Sequence, residues 1–163
     1  MGAKPQFPSA DEDSKEIKVL IRRTPENSDL PLPAYATPGS AGLDLRACIS
    51  QPITLPPGGR ALVGTGIAVA LPAGAEAQIR PRSGLAAEHG VTLLNSPGTV
   101  DSDYRGEIRL VVINHGQAPY TIQRGDRIGQ MVVGRVLRVA LEEVSKLPES
   151  ERNAGGFGHT GKN

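Results

Sequence analysis

The sequence predicts an all-β fold, a sandwich or barrel of short strands carrying one short helix. Apolar and polar residues alternate in several segments with the period of two that a half-buried strand requires. Turn formers recur at short intervals, with 20 glycines and 14 prolines among 163 residues. That density breaks long helices and punctuates short strands. One stretch, 83–89, reads as a single short helix.

Along the chain, residues 1–15 are polar, proline-bearing and acidic toward their end, which predicts a disordered arm. Residues 16–21 (Glu-Ile-Lys-Val-Leu-Ile) predict a first strand. Ile67, Val69 and Leu71 then alternate with Ala68 and Ala70. Ala75, Ala77 and Ile79 alternate with Glu76, Gln78 and Arg80, which predicts one face in water. Residues 107–114 form a denser apolar run, as in a strand buried on both faces, and 126–133 and 135–144 continue the pattern. Turn signals stand between them: Pro-Pro-Gly-Gly at 56–59, Leu-Pro-Ala-Gly at 71–74 and Arg-Gly-Asp at 124–126. No internal repeat is present. A β domain is therefore expected over 16–147. Residues 148–163 hold four glycines and little that is apolar except Phe157. Such a segment cannot fold alone, and it reads either as a frayed terminus or as a lid that orders on a ligand.

Composition narrows the function. Eighteen basic residues against 17 acidic ones give a net charge of +1. No basic stripe suggests bulk nucleic-acid or membrane-surface binding. Only five aromatic residues are present, too few for stacking along a nucleic-acid strand. Cys48 is the single cysteine, so an internal disulfide and a cysteine zinc site are excluded. His89, His115 and His159 lack metal-ligand spacing. Residues 1–10 hold no long apolar run, and no stretch reaches membrane-span length. A cytoplasmic location is the expectation.

Five segments carry candidate chemistry. Residues 41–47 (Ala-Gly-Leu-Asp-Leu-Arg-Ala) set Asp44 between apolar neighbours. Residues 80–86 (Arg-Pro-Arg-Ser-Gly-Leu-Ala) put guanidinium, hydroxyl and backbone N–H groups at a helix start, a phosphate-binding combination. Residues 95–106 (Asn-Ser-Pro-Gly-Thr-Val-Asp-Ser-Asp-Tyr-Arg-Gly) crowd an amide, two carboxylates and an aromatic into a hairpin-like turn. Residues 124–131 (Arg-Gly-Asp-Arg-Ile-Gly-Gln-Met) are the fourth segment, and the tail from Arg152 to Gly161 is the fifth. The tail also reads G-x-x-x-x-G-K over 156–162. A P-loop would need a hydroxyl residue and a helix next, and only Asn163 follows.

In order and spacing these five segments resemble the motifs of the trimeric dUTPase family, over about three quarters of the chain. The resemblance implies a jelly-roll-like or β-clip sandwich, swapped as a homotrimer, that hydrolyses dUTP to dUMP and pyrophosphate with Mg²⁺. Such an activity supplies dUMP for thymidylate synthesis and keeps uracil out of DNA. Asp101 would be the base that activates the attacking water; taken alone, it reads as a turn cap. Tyr104 would pack under the deoxyribose and exclude a 2′-hydroxyl; alone it reads as a core tyrosine. Asn95 would read the uracil edge, with backbone groups at Gly98, Thr99 and Val100 and the main chain of Arg109 beside it. By itself Asn95 reads equally as a turn asparagine. Arg82, Ser83 and Gly84 would bind phosphates, with Gln130 assisting. Asp44 would touch Mg²⁺ through water, or serve as a buried acid paired to an arginine.

In the tail, Phe157 would cover the uracil while Arg152, His159 and Thr160 reach the γ-phosphate. The resemblance further implies that three subunits share each site: segments one, two and four from one chain, three from a second and the tail from a third. Two residues depart from the family pattern. Glu88 stands where a basic residue is common, and Asn153 replaces the usual glycine after Arg152. Three rivals remain: a dCTP deaminase of the same fold, a silent dUTP-binding protein, and a purely structural β-sandwich.

Overall fold

A computed structural model describes residues 16–150 and 152–154. Eleven strands and one helix follow in chain order: β1 (Leu20–Arg23), β2 (Leu43–Arg46), β3 (Ile53–Leu55), β4 (Arg60–Gly64), β5 (Ile67–Ala70), β6 (Ala75–Arg80), α1 (Ser83–His89), β7 (Val91–Leu93), β8 (Gly98–Val100), β9 (Arg109–Asn114), β10 (Tyr120–Ile122) and β11 (Arg127–Arg135). Every strand pair among them is antiparallel. The pairings β2–β11, β3–β10 and β4–β9 are nested. The chain therefore runs out and back as one long ribbon that winds onto itself, which is how a jelly roll is made.

The ribbon closes on one core. A four-stranded sheet, β2-β11-β6-β8, supplies Leu45, Met131, Ile79 and Val100. A three-stranded sheet, β4-β9-β7, supplies Val63, Leu110, Val112 and Leu93 to the same cluster. The two layers come close at Gly129, where a Cβ would lie 2.4 Å from Cδ2 of Leu110. A larger residue on β11 there would force Leu110 to shift. Burial alternates along β6 as expected, with Ala75, Ala77 and Ile79 inside. The turn signals also fall on turns: Gly58, Gly74 and Gly125 all hold positive φ. Helix α1 spans the expected residues and ends at Gly90 (φ 69°), whose N–H returns to the Ala86 carbonyl.

Two strand expectations are corrected. The first strand is β1, which starts at Leu20 rather than 16 and runs to Arg23. It is positioned by its register against β5, Leu20 opposite Ala70. The expected strand at 135–144 does not form. Beyond Arg135 the chain has no regular secondary structure and is exposed, with Leu137 91 %, Val139 78 % and Leu141 95 % accessible. Its alternation suits a strand, but strand N–H and C=O groups need a partner edge. The described residues offer it only the Val136 N–H bond to the Gly74 carbonyl. The expected arm at 1–15 lies outside the described residues, as do Phe157, His159 and Thr160. The described residues include no helix long and apolar enough to cross a membrane.

Candidate active site

Strand β8 and the turn after it build one pocket of about 270 Å³. Asn95, Gly98, Thr99, Val100, Asp101, Tyr104 and Arg109 all line it, over an apolar floor that includes Ile79 and Leu93. The sequence folds this way because Gly98–Val100 pairs with β6 in a short register, Gly98 against Ile79 and Val100 against Ala77. Asp101 therefore leaves the sheet immediately and starts a tight turn, closed by the Tyr104 N–H on the Asp101 carbonyl at 3.2 Å. The Asp101 side chain is exposed, and its carboxylate has no hydrogen-bond or ion-pair partner among the described residues. The turn-cap alternative for that side chain is thus not realised. Tyr104 is 42 % accessible rather than a core tyrosine, and its hydroxyl donates to the Glu107 carbonyl at 2.9 Å. The ring lies against Gly106, where a Cβ would come within 2.3 Å of its oxygen. Gly98 leaves room for the Asn95 amide in the same way, a Cβ there reaching 3.1 Å from Nδ2.

A second pocket of about 350 Å³ holds Asp44, Arg82, Ser83, Gly84, Arg127 and Gln130. Strand register assembles it: Asp44 on β2 faces Gln130 on β11, and Gln130 faces Arg80 at the end of β6. Arg82, at the N-cap of α1, receives no side-chain cap there. Ser83 and Gly84, the first residues of α1, line the pocket, and no side-chain cap takes up the N–H groups of that turn, which suits an anion. Gln130 Nε2 donates to the Pro81 carbonyl at 3.0 Å. Gly42 permits this packing, since a Cβ there would lie 2.2 Å from Gln130 Oε1. Asp44 joins two arginines, Arg82 Nε to Oδ1 at 3.1 Å and Arg127 Nη1 to Oδ2 at 3.0 Å. The carboxylate is 22 % accessible. The paired-acid alternative for Asp44 is what the geometry displays, and its effect is to hold two guanidinium groups toward the pocket.

Arg127 is the residue that sequence reasoning missed. It stands in the fourth segment, where the resemblance assigns a role to Gln130 alone. Its partner, Asp44, is 83 residues away. In the tail, Arg152 is exposed. Asn153 adopts φ 42°, so a left-handed site favouring glycine is filled by the side chain that tolerates it next best. Its Oδ1 accepts the Ser150 N–H at 3.1 Å. Glu88 is mostly exposed beside His89, 3.8 Å away.

The two pockets share no residue, and they occupy opposite edges of the four-stranded sheet. The first pocket runs alongside β6, and Asp101 stands at the end of it away from Arg82. Asp101 follows Val100, which faces Ala77, while Arg82 follows Arg80. From the level of residue 76 to 82 is six residues, roughly 20 Å at strand rise. Asp101 and Arg82 of one chain therefore do not meet.

A jelly roll with an amide- and aromatic-lined pocket on one edge and an arginine-lined pocket on the other defines an all-β protein of the nucleotide-binding class. The dUTPase family model matches residues 28–161. A deoxyuridine 5'-triphosphate nucleotidohydrolase of Caldanaerobacter subterraneus subsp. tengcongensis is 57 % identical over 145 residues, covering 89 % of this chain and 98 % of its own. The chain belongs to the dUTPase family. Among solved structures, a mutant dUTPase of Staphylococcus bacteriophage 80alpha with dUpNHpp shares the fold at TM-score 0.79 and 20 % identity, covering 88 % of this chain and 98 % of that one. A mutant dUTPase of phage phi11 of S. aureus, described with a structural Mg(II) ion, superposes at TM-score 0.71 and 18 % identity over 81 % of this chain and 99 % of that one.

Proposed function

We propose that this protein hydrolyses dUTP to dUMP and pyrophosphate, by water attack on the α-phosphorus, in sites shared among the subunits of a cytoplasmic homotrimer. One observation carries the composite site: on a single chain the unpaired Asp101 carboxylate and the arginine-lined pocket stand at opposite edges and ends of one sheet. A second copy brings its Asp101 pocket against the first copy's Arg82 pocket. Asn95 then reads the uracil edge, with the backbone of 98–100 and Arg109 closing the pocket. Tyr104 packs under the sugar. Arg82, Ser83 and Gly84 hold the phosphates in line, assisted by Gln130, with Arg127 added to the set. In-line displacement at phosphorus needs positioning and charge neutralisation more than covalent help. Asp101, with no cation paired to it among the described residues, is available to accept a proton from the attacking water. The exposed segment after Arg135 crosses to a neighbour, and the tail from a third chain closes the site through Arg152, Phe157, His159 and Thr160, excluding water.

For Mg²⁺, the described residues contain no cluster of three acidic, histidine or cysteine side chains. Asp44, the acid of the phosphate pocket, has both oxygens engaged by arginine. A Mg²⁺ here would be carried on the substrate's own phosphates, with Asp44 reaching it only through water. When bound, the ion would neutralise phosphate charge. Chelation by EDTA is expected to remove most turnover, and addition of Mg²⁺ to restore it; full activity in EDTA would contradict this.

The deciding assay is pyrophosphate release from dUTP with Mg²⁺, beside dCTP, dTTP and UTP. Release from dUTP alone is expected. Ammonia release from dCTP would establish a deaminase instead, and dUTP binding without turnover a silent binder.

A further inference from the structure

We infer that Glu107 is a positioning residue that fixes Tyr104 and so sets the discrimination of deoxyribose from ribose; the inference rests on the dUTP reading of the site. Tyr104 is too exposed for packing alone to hold its ring. The polar contact of its side chain is the hydroxyl bond to the Glu107 carbonyl at 2.9 Å. That carbonyl stays in place because the side chain of the same residue is anchored. Glu107 Oε1 accepts the N–H of Gly66 at 2.8 Å. No cation pairs with the carboxylate among the described residues, so its partner is an amide rather than a charge.

The Gly66 anchor is itself rigid. It sits at φ 66°, and a Cβ would meet Asn27 Cβ at 2.5 Å and Cys48 Sγ at 2.7 Å. Its carbonyl accepts the Thr24 N–H at 2.8 Å and Asn27 Nδ2 at 3.3 Å. Asn27 is buried at 2 % exposure. On the other side, Thr65 Oγ1 donates to the Ile108 carbonyl at 2.6 Å and the Ile108 N–H to the Ile67 carbonyl at 2.8 Å. A Cβ at Gly64 would come within 2.6 Å of Glu107 Oε1, so the β4–β5 turn is shaped around this carboxylate. The chain of contacts runs from a buried asparagine, through a fixed glycine amide, to the sugar-facing tyrosine.

The test compares wild type, Glu107→Gln and Glu107→Ala in turnover of dUTP and UTP and in NMR line widths of the Tyr104 ring. Glu107→Gln keeps an acceptor oxygen and is expected to retain selectivity and a sharp ring signal. Glu107→Ala is expected to lose roughly ten- to a hundredfold of the dUTP-to-UTP preference, with Tyr104 broadened, because small misplacements of a positioning group cost that much. A folded Glu107→Ala protein with wild-type preference and line widths would overturn the inference. If that variant does not fold, Glu107→Asp, one methylene too short for the Gly66 amide, carries the same comparison. Equal turnover of dUTP and UTP by wild type would defeat the sugar reading; Tyr104 broadening in Glu107→Ala would still support the positioning role.

Discussion

Asp101 illustrates what a single side chain can and cannot disclose. Its neighbours suggest a capped turn, and the turn exists, yet the backbone closes it and leaves the carboxylate unpartnered. Asp101→Asn keeps the shape and the polar contact but cannot take a proton. It is expected to bind dUTP with little change in KM and to lose about 10²- to 10⁴-fold in kcat. Steady-state kinetics check this, and near-normal kcat would remove Asp101 from its role. Asp44 is the opposite case, an acid whose arginine partners Arg82 and Arg127 are invisible in sequence because they lie 38 and 83 residues away.

At the scale of elements, two segments behave differently from the strands around them. The loop at 24–30 is tied to the turn before β11 by Arg124, which donates to both oxygens of Asp29 and to the Glu26 carbonyl. The guanidinium holds the Asp29 carboxyl below its usual range. A depressed carboxylate contributes stability above its unfolded pKa and loses it as pH falls through the folded value. Asp29→Asn should therefore lower Tm slightly at pH 7, with the difference fading as pH drops below 4. The small size follows from full exposure. Thermal melts across that range measure it; a pH-independent difference would dissociate the effect from ionisation. The tail is the second segment. Because 148–150 and 152–154 are exposed, truncation after Ser150 should leave the β domain folded with an unchanged circular-dichroism melt, while hydrolysis falls sharply. Full activity in the truncated protein would disprove the lid.

For the whole molecule, separate half-sites on one chain make a specific prediction. Asp101→Asn and Arg82→Ala proteins should each be inactive, yet mixed and refolded together they should regain activity, with about a quarter of sites receiving both intact halves under random assembly. No recovery, with mixed trimers demonstrated by native mass spectrometry, would place each site within one chain. By itself the sequence determined what local forces decide: the alternation of β6, the limits of α1, the turns at Gly58, Gly74 and Gly125, and the residue types of the five segments. Periodicity and backbone sterics act over a few residues, so they are written locally. Tertiary structure alone decided which strands pair, that 136–144 finds no edge to join among the described residues, that Asp44 grips Arg127, and that the two pockets lie at opposite edges of one sheet. These outcomes depend on contacts between residues far apart in sequence, where register is set by the closure of the core and not by neighbouring side chains.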